Sequence, residues 1–299
     1  MCGFHTHAQR QQDPTRTTTL RQRFEGEAGR RFRNVAGIIR EAVVDLDVLG
    51  LRGESRTPTV NRDRPGLSPG AFDFASTPQK VGAFMRWLNE MQRKQILDVL
   101  QGVPIEQAGR RAWTSTYVQS AYQKGLAHAA GQMRQAGATV EDQWIQAAFN
   151  RPIHADRLGI IYTRTYKALE GITQAMDTQI SRVLTEAIAE GVGPEEMAQR
   201  LTGRVNKIGR TRARVLARTE VINAHAEASL NAYAEAGVEG VNVKAEFATA
   251  GDSRVCPECA RLEGKTYTID ESRGVIPVHP NCRCAWLPAL DDMRGTELR

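Results

Sequence analysis

The chain of 299 residues is 41% hydrophobic, 25% charged and 6% aromatic, with a formal net charge of +6. That is the composition of a globular protein long enough for two domains, and sparse aromatics beside abundant Ala, Gln, Glu and Arg argue for helices over an all-β sandwich. No run approaches the roughly 18 apolar residues of a membrane-spanning helix, and residues 1–10 lack the apolar centre of an export signal, so the expectation is a cytosolic chain with no membrane partner.

Residues 1–50 read as a basic N-terminal helix. Leu20, Phe24, Ala28, Phe32, Val35, Ile39 and Val43 recur three or four apart, the period of one helix face. Gly26, Gly29 and Gly37 each weaken such a helix by about 1 kcal/mol relative to Ala, so it needs a partner to pack against. Residues 51–78 form a Pro/Gly-rich loop, interrupted at Pro58, Pro65, Pro69 and Pro78. A loop of this length is either disordered or an interaction arm or lid, with Phe72 and Phe74 as docking residues.

Residues 79–192 read as a helical domain with a coiled-coil-like hairpin. Val81, Phe84, Leu88, Met91 and Ile96, then Trp113, Tyr117, Ala121 and Leu126, then Trp144 and Phe149 mark buried faces. At helical spacing these aromatics belong to a core and not to a base-stacking surface. Leu158, Ile161, Thr165, Leu169, Ile172, Met176, Ile180, Val183 and Ile188 keep a period of about 3.5. Gly191 to Pro194 end that helix, Glu195, Glu196 and Met197 open a short one, and Gly209 begins a last long helix stopped by Gly237. Beyond it, 241–247 alternates apolar with polar residues, 265–269 does so briefly, and 284–287 is placed to pair with them. The fold class is therefore mainly α: a long-helix N-terminal domain, then a small α+β module at 241–290 and a tail at 291–299.

Four of the five cysteines fall between Cys256 and Cys284, and without an export signal such clustering points to metal before disulfides. Cys256-Pro257-Glu258-Cys259 and, further on, His279-Pro280-Asn281-Cys282 present two ligand pairs of equal spacing, the donor set of a tetrahedral structural Zn2+ site. Cys256, Cys259, His279 and Cys282 are the expected ligands. Cys284 is the alternative fourth ligand, because five donors compete for four positions. A disulfide framework or buried free thiols are the competing accounts of the cysteines.

Two enzyme patterns compete with a structural metal. His225-Ala226-Glu227 followed by Cys256 and Cys259 echoes the zinc deaminase pattern, but Val255 stands where that pattern needs Pro and the remaining ligands are left idle. A nuclease reading of His279-Pro280-Asn281 lacks a second His in the module. With all four metal positions taken by protein, no catalytic residue is assigned, and neither catalysis nor a small-molecule substrate is expected.

Arg200, Arg204, Lys207, Arg210, Arg212 and Arg214 form the densest basic run, with no acid among them, and can meet DNA phosphates or an acidic protein rim; the bland account is a solvated face. Contact with DNA would be independent of sequence and sensitive to salt.

Ala217-Arg218-Thr219-Glu220, the stretch 252–259, Leu262-Glu263-Gly264-Lys265-Thr266-Tyr267 and the His279-Pro280-Asn281-Cys282-Arg283-Cys284 run together resemble the phage Mu F-like head morphogenesis family, over residues 193–290. The resemblance implies a minor head protein of the virion. It would be assembled in the bacterial host cytoplasm, lie inside the head near the portal, act in head morphogenesis and DNA packaging, and have the portal and other head proteins as partners. It also implies that the last cysteine, Cys284, is the more replaceable one, and suggests an Arg218–Glu220 ion pair bracing the helix to the module.

Overall fold

The computed structural model describes residues 13–52, 68–98, 102–149, 151–238, 243–290 and 297–298. Their elements are α1 (Thr18–Arg40), α2 (Thr77–Gln92), α3 (Ile105–Arg111), α4 (Thr114–Gln135), β1 (Thr139–Val140), α5 (Asp142–Phe149), α6 (Pro152–Ala189), α7 (Pro194–Val238), β2 (Val243–Ala248), α8 (Pro257–Ala260), β3 (Thr266–Tyr267), α9 (Ile269–Ser272), β4 (Ala285–Leu290) and β5 (Glu297–Leu298). The chain is mainly helical, with a three-stranded antiparallel sheet in the order β3-β2-β4 near its C-terminus. It divides into two compact units, the first built from Met1–Phe24, Ile105–Thr165 and Arg214–Arg299, the second from Glu25–Pro104 and Tyr166–Ala213. Among the described residues no helix is long and apolar enough to cross a membrane.

In the second unit the helical period buries one face of each segment. Phe32, Val35 and Ile39 of α1, Phe84 and Leu88 of α2, Met176 and Ile180 of α6, and Met197, Leu201 and Val205 of α7 are all buried, each such side chain contributing about 1.5–3 kcal/mol. A π-helical turn, Glu41–Asp45, extends α1 and buries Val43 and Val44. Of the 51–78 loop, residues 53–67 lie outside the described residues. Phe72, expected to dock a partner, packs instead on this chain's own rings, 6.2 Å from Phe84 and 6.1 Å from Trp87, and its N–H donates to the Val48 carbonyl at 2.7 Å. Phe74 is 40% exposed.

The expected break at Gly209 does not occur: the short helix from Glu195 and the long one from Gly209 are a single helix, α7. Its start is as read, with Pro194 in the first turn and Glu195 and Glu196 beside the positive end of the helix dipole. Gly209 is used for close approach and not for termination. A Cβ there would stand 2.5 Å from Phe32 Cβ and 2.7 Å from its Cγ, and packing outweighs a helix penalty of only about 1 kcal/mol. Gly209→Ala is therefore expected to lower stability by about 1–3 kcal/mol, although Ala is the better helix former. Gly26→Ala, whose Cβ would meet nothing within 4 Å, should be neutral or stabilising. Urea denaturation of the two variants checks the contrast.

In the first unit α4 and α7 meet at Gly125, where a Cβ would come 2.5 Å from the His225 carbonyl oxygen. Trp144, Tyr122, Leu126, Met133, Val221, Leu230 and Tyr233 fill the core. Sheet register pairs Phe247 with Trp286 and Ala245 with Tyr267, so alternate β2 residues, Val243, Ala245 and Phe247, are buried. The Phe247 and Trp286 rings meet edge-on at 5.7 Å. Strand β5, within the segment read as a tail, pairs in parallel with β1.

A buried polar chain ties the C-terminal module to these helices. Arg273, just past α9, donates to Glu227 at 3.1 Å and to Asn231 Oδ1 at 3.0 Å. Asn231 donates to the Tyr122 hydroxyl at 2.7 Å, and that hydroxyl donates to His154 Nδ1 at 2.8 Å. Removing the guanidinium leaves the buried Asn231 oxygen unmet and Glu227 with Arg157 alone, 3.4 Å away. Arg273→Ala should cost about 1–3 kcal/mol while leaving metal content unchanged, a pair of outcomes that denaturant titration and metal analysis read together.

Candidate metal centre

Two short turns build the site. Cys256 is the N-cap of α8, Pro257 occupies its first turn, and the Cys259 N–H points at Cys256 Sγ at 3.4 Å. That backbone N–H, foremost, holds the Cys256 thiol below its ordinary pKa. On the other side Asn281 takes a positive φ of 66°, and the Cys282 N–H closes a turn on the His279 carbonyl at 3.1 Å, which carries His279 and Cys282 to the same side.

The turns converge. His279 Nε2 lies 3.3 Å from Cys256 Sγ and 3.2 Å from Cys259 Sγ. His279 Nδ1 faces the Pro280 carbonyl at 2.8 Å, so the proton resides on Nδ1 and the Nε2 lone pair is directed at the thiols, the orientation a metal-bound imidazole requires. The ligand atoms of Cys256, Cys259 and His279 fall within 4.8 Å of one another, and so do those of Cys259, Cys282 and Cys284. Cys259 is common to both groups, and Cys282 and Cys284 stand equally beside it. The cluster can hold a metal ion.

The chemistry of the donor set fits a cation. The four cysteines of the cluster are free thiols. Contact with the Cys284 thiol, then backbone N–H groups, pulls the Cys282 thiol down to about 5. Burial, then the Cys282 charge, pushes Cys259 up to about 12, and contact with Cys282 raises Cys284. One thiolate thus opposes the next, whereas a divalent ion allows several to ionise together.

Residues that sequence reasoning missed hold the turns in place. Arg283, between the two cysteines, forks onto Asp252 with both bonds at 2.6 Å, so it points away from the thiols and clamps the second turn to the lead-in of the first. Arg283, followed by Arg254, holds the Asp252 carboxyl well below the usual range. The two partners are separated by 31 residues, and no local pattern announces them. Glu263 accepts from the Thr249 N–H at 2.6 Å, and a Thr268/Glu271 capping box fixes α9.

Of the expected pair Arg218 and Glu220, the acid is met by α6: Glu220 accepts from the Thr165 hydroxyl at 3.1 Å and lies 3.5 Å from Arg164. Burial raises its carboxyl pKa against the pull of Arg164. Thr219 between them reaches the module, its hydroxyl 3.5 Å from the Asn281 N–H. Along α7, Arg200 is already paired with Glu190 at 2.7 Å and Glu196 at 2.6 Å, acids that flank the basic run. Arg204 is half-buried, Lys207, Arg210, Arg212 and Arg214 are exposed, and the first four of these five carry no ion pair among the described residues. The groups able to hold metal draw on His279 and not on His225 or Glu227. His225 instead stacks 5.2 Å from His128.

Residues 178–287, which span the Cys/His cluster and most of α7, match the model of the family described as Phage Mu protein F like protein. Over that segment the chain is similar to the phage Mu F-like family of head morphogenesis proteins. No curated protein and no solved structure matches it. The matched segment begins within α6 and ends in β4, so the family match takes in both Cys/His turns, their Asp252–Arg283 clamp and Thr219.

Proposed function

We propose that this protein is a minor head protein acting in head morphogenesis and DNA packaging, docked at the portal inside the head. The Mu F-like match over the cluster and α7 carries this reading. The metal is Zn2+, held by Cys256, Cys259, His279 and Cys282, with Cys284 able to replace Cys282. Thiolates and an imidazole suit zinc, and four protein ligands leave no position for reactive water, so the ion is structural and the protein is not an enzyme. Arg204, Lys207, Arg210 and Arg212, with Arg214 continuing the row, meet DNA phosphates without reading sequence; Arg200, engaged by two glutamates, supports the helix.

A phage carrying a nonsense mutation in this gene tests the role. Heads lacking the protein are expected to package or deliver little DNA, and in wild-type particles the tagged chain should co-fractionate with the portal after the capsid shell is dissociated. Normal, filled and infectious heads without the protein would refute the proposal.

A further inference from the structure

Residues 151–165, the start of α6 and part of the first unit, are held to α7 in an unusual way. Glu220, Glu227 and Glu235 of α7 are buried, and each meets an arginine of this stretch: Arg164 at 3.5 Å, Arg157 at 3.4 Å and Arg151 at 3.3 Å. The arginine side chains stay wet, at 47%, 29% and 36% exposed. His154 Nε2 lies 3.1 Å from one oxygen of Glu235, whose other oxygen is buried with no hydrogen-bond partner among the described residues. The large aliphatic side chains buried from this stretch are Leu158 and Ile161 alone, whereas residues 166–189 of the same helix bury Leu169, Ile172, Met176, Ile180, Val183 and Leu184. Its outer side carries the exposed Ile153 and Ile160.

We propose that residues 151–165 form an electrostatically latched strap, which opens locally from α7 as a unit while residues 166–189 stay packed. A buried carboxylate loses its hydration, and a partly solvated guanidinium 3.3–3.5 Å away returns little more than that loss. Opening the strap rehydrates three carboxylates, including the unmet oxygen of Glu235. Parting residues 166–189 would instead expose six large apolar side chains, which water opposes. Free energies of local opening are therefore unequal along one continuous helix. The short helix α3 crosses the strap at Gly109, where a Cβ would stand 2.8 Å from the Tyr162 carbonyl, and it moves with the strap. Glu227 is shared by Arg157 of the strap and Arg273 of the C-terminal module, so the latch and the tie to the module meet on one carboxylate.

Native-state hydrogen exchange of the full chain, read by mass spectrometry, tests this. Amides of residues 156–165 are expected to exchange about a hundredfold faster than those of residues 172–188. Sodium chloride at about 1 M, where screening acts within about 3 Å, should speed the first set about tenfold and leave the second unchanged. Fraying of a helix end alone gives no such salt response. Arg157→Met combined with Glu227→Met replaces one rung by apolar chains of similar length and leaves Arg273 its bond to Asn231. This double variant should slow exchange of residues 156–165 about tenfold. If it does not fold, the salt response of the wild-type chain still decides. Equal protection of the two stretches, fast exchange of residues 156–165 that salt does not alter, or unchanged or faster exchange in a folded double variant would each overturn the latch.

Discussion

Cys259→Ser is expected to abolish metal binding and unfold the C-terminal module, whereas Cys284→Ser should keep one zinc per chain. Cys259 is the sulfur shared by both ligand groups, and it is 2% exposed, so its loss breaks the set whichever cysteine serves as the fourth ligand. Around the cluster itself the elements are short: β3 is two residues long and α8 and α9 four each, lengths that are not stable alone, so the β2–β4 pair is left to hold the turns without the metal. Structural zinc contributes on the order of 10 kcal/mol of binding free energy in small domains, larger than any single contact described above. Metal analysis after gel filtration gives the stoichiometry, and the fluorescence of Trp286, buried against Phe247, reports the fold. A chelator should reproduce the Cys259→Ser state in the wild-type protein. Retention of one zinc and native fluorescence by Cys259→Ser would exclude a metal-stapled module.

The second large effect is acid lability. Burial foremost, then the facing His128, lowers the His225 pKa to about 3, and burial, then Arg16, lowers His128 to about 4. Both ring nitrogens of His225 and Nδ1 of His128 are buried without partners. With folded-state values below the ordinary 6.5, the unfolded chain binds protons first as pH falls, so stability is complete above about 6.5 and declines from there towards pH 4. At about 1.4 kcal/mol for each pH unit, His225 alone removes roughly 3 kcal/mol by pH 4, and the less buried His128 removes less. His225→Leu deletes the titrating group together with two unmet nitrogens, so it should match or exceed wild-type stability at pH 7 and exceed it clearly at pH 5. Melting temperatures of both proteins across pH 4–8 decide the matter: parallel profiles would mean that acid lability arises elsewhere.

These two results draw on different kinds of information. The convergence of the two Cys/His pairs follows from local sequence, because a Cys-x-x-Cys and a His-x-x-Cys fix their own geometry through local turns. In sequence His225 stands out only through its neighbour Glu227, but its ring faces His128 on α4, and no pattern along α7 indicates that.

What the sequence alone determined about this protein is whatever short-range chemistry enforces: helices from their apolar period, the stop at Gly191 and start at Pro194, the strand alternation in β2, and the Cys/His spacing with its family likeness. Tertiary structure decided the meaning of residues whose partners are distant. Gly209 continues a helix because Phe32 needs its missing side chain, Phe72 turns inward because Phe84 and Trp87 are there, Glu220 belongs to Arg164 and Thr165, and Asp252 finds Arg283 from 31 residues away. The reason is physical. A backbone preference of about 1 kcal/mol per residue acts locally and can be read in chain order, while a buried contact or ion pair of equal or greater strength depends on which side chain folding brings alongside.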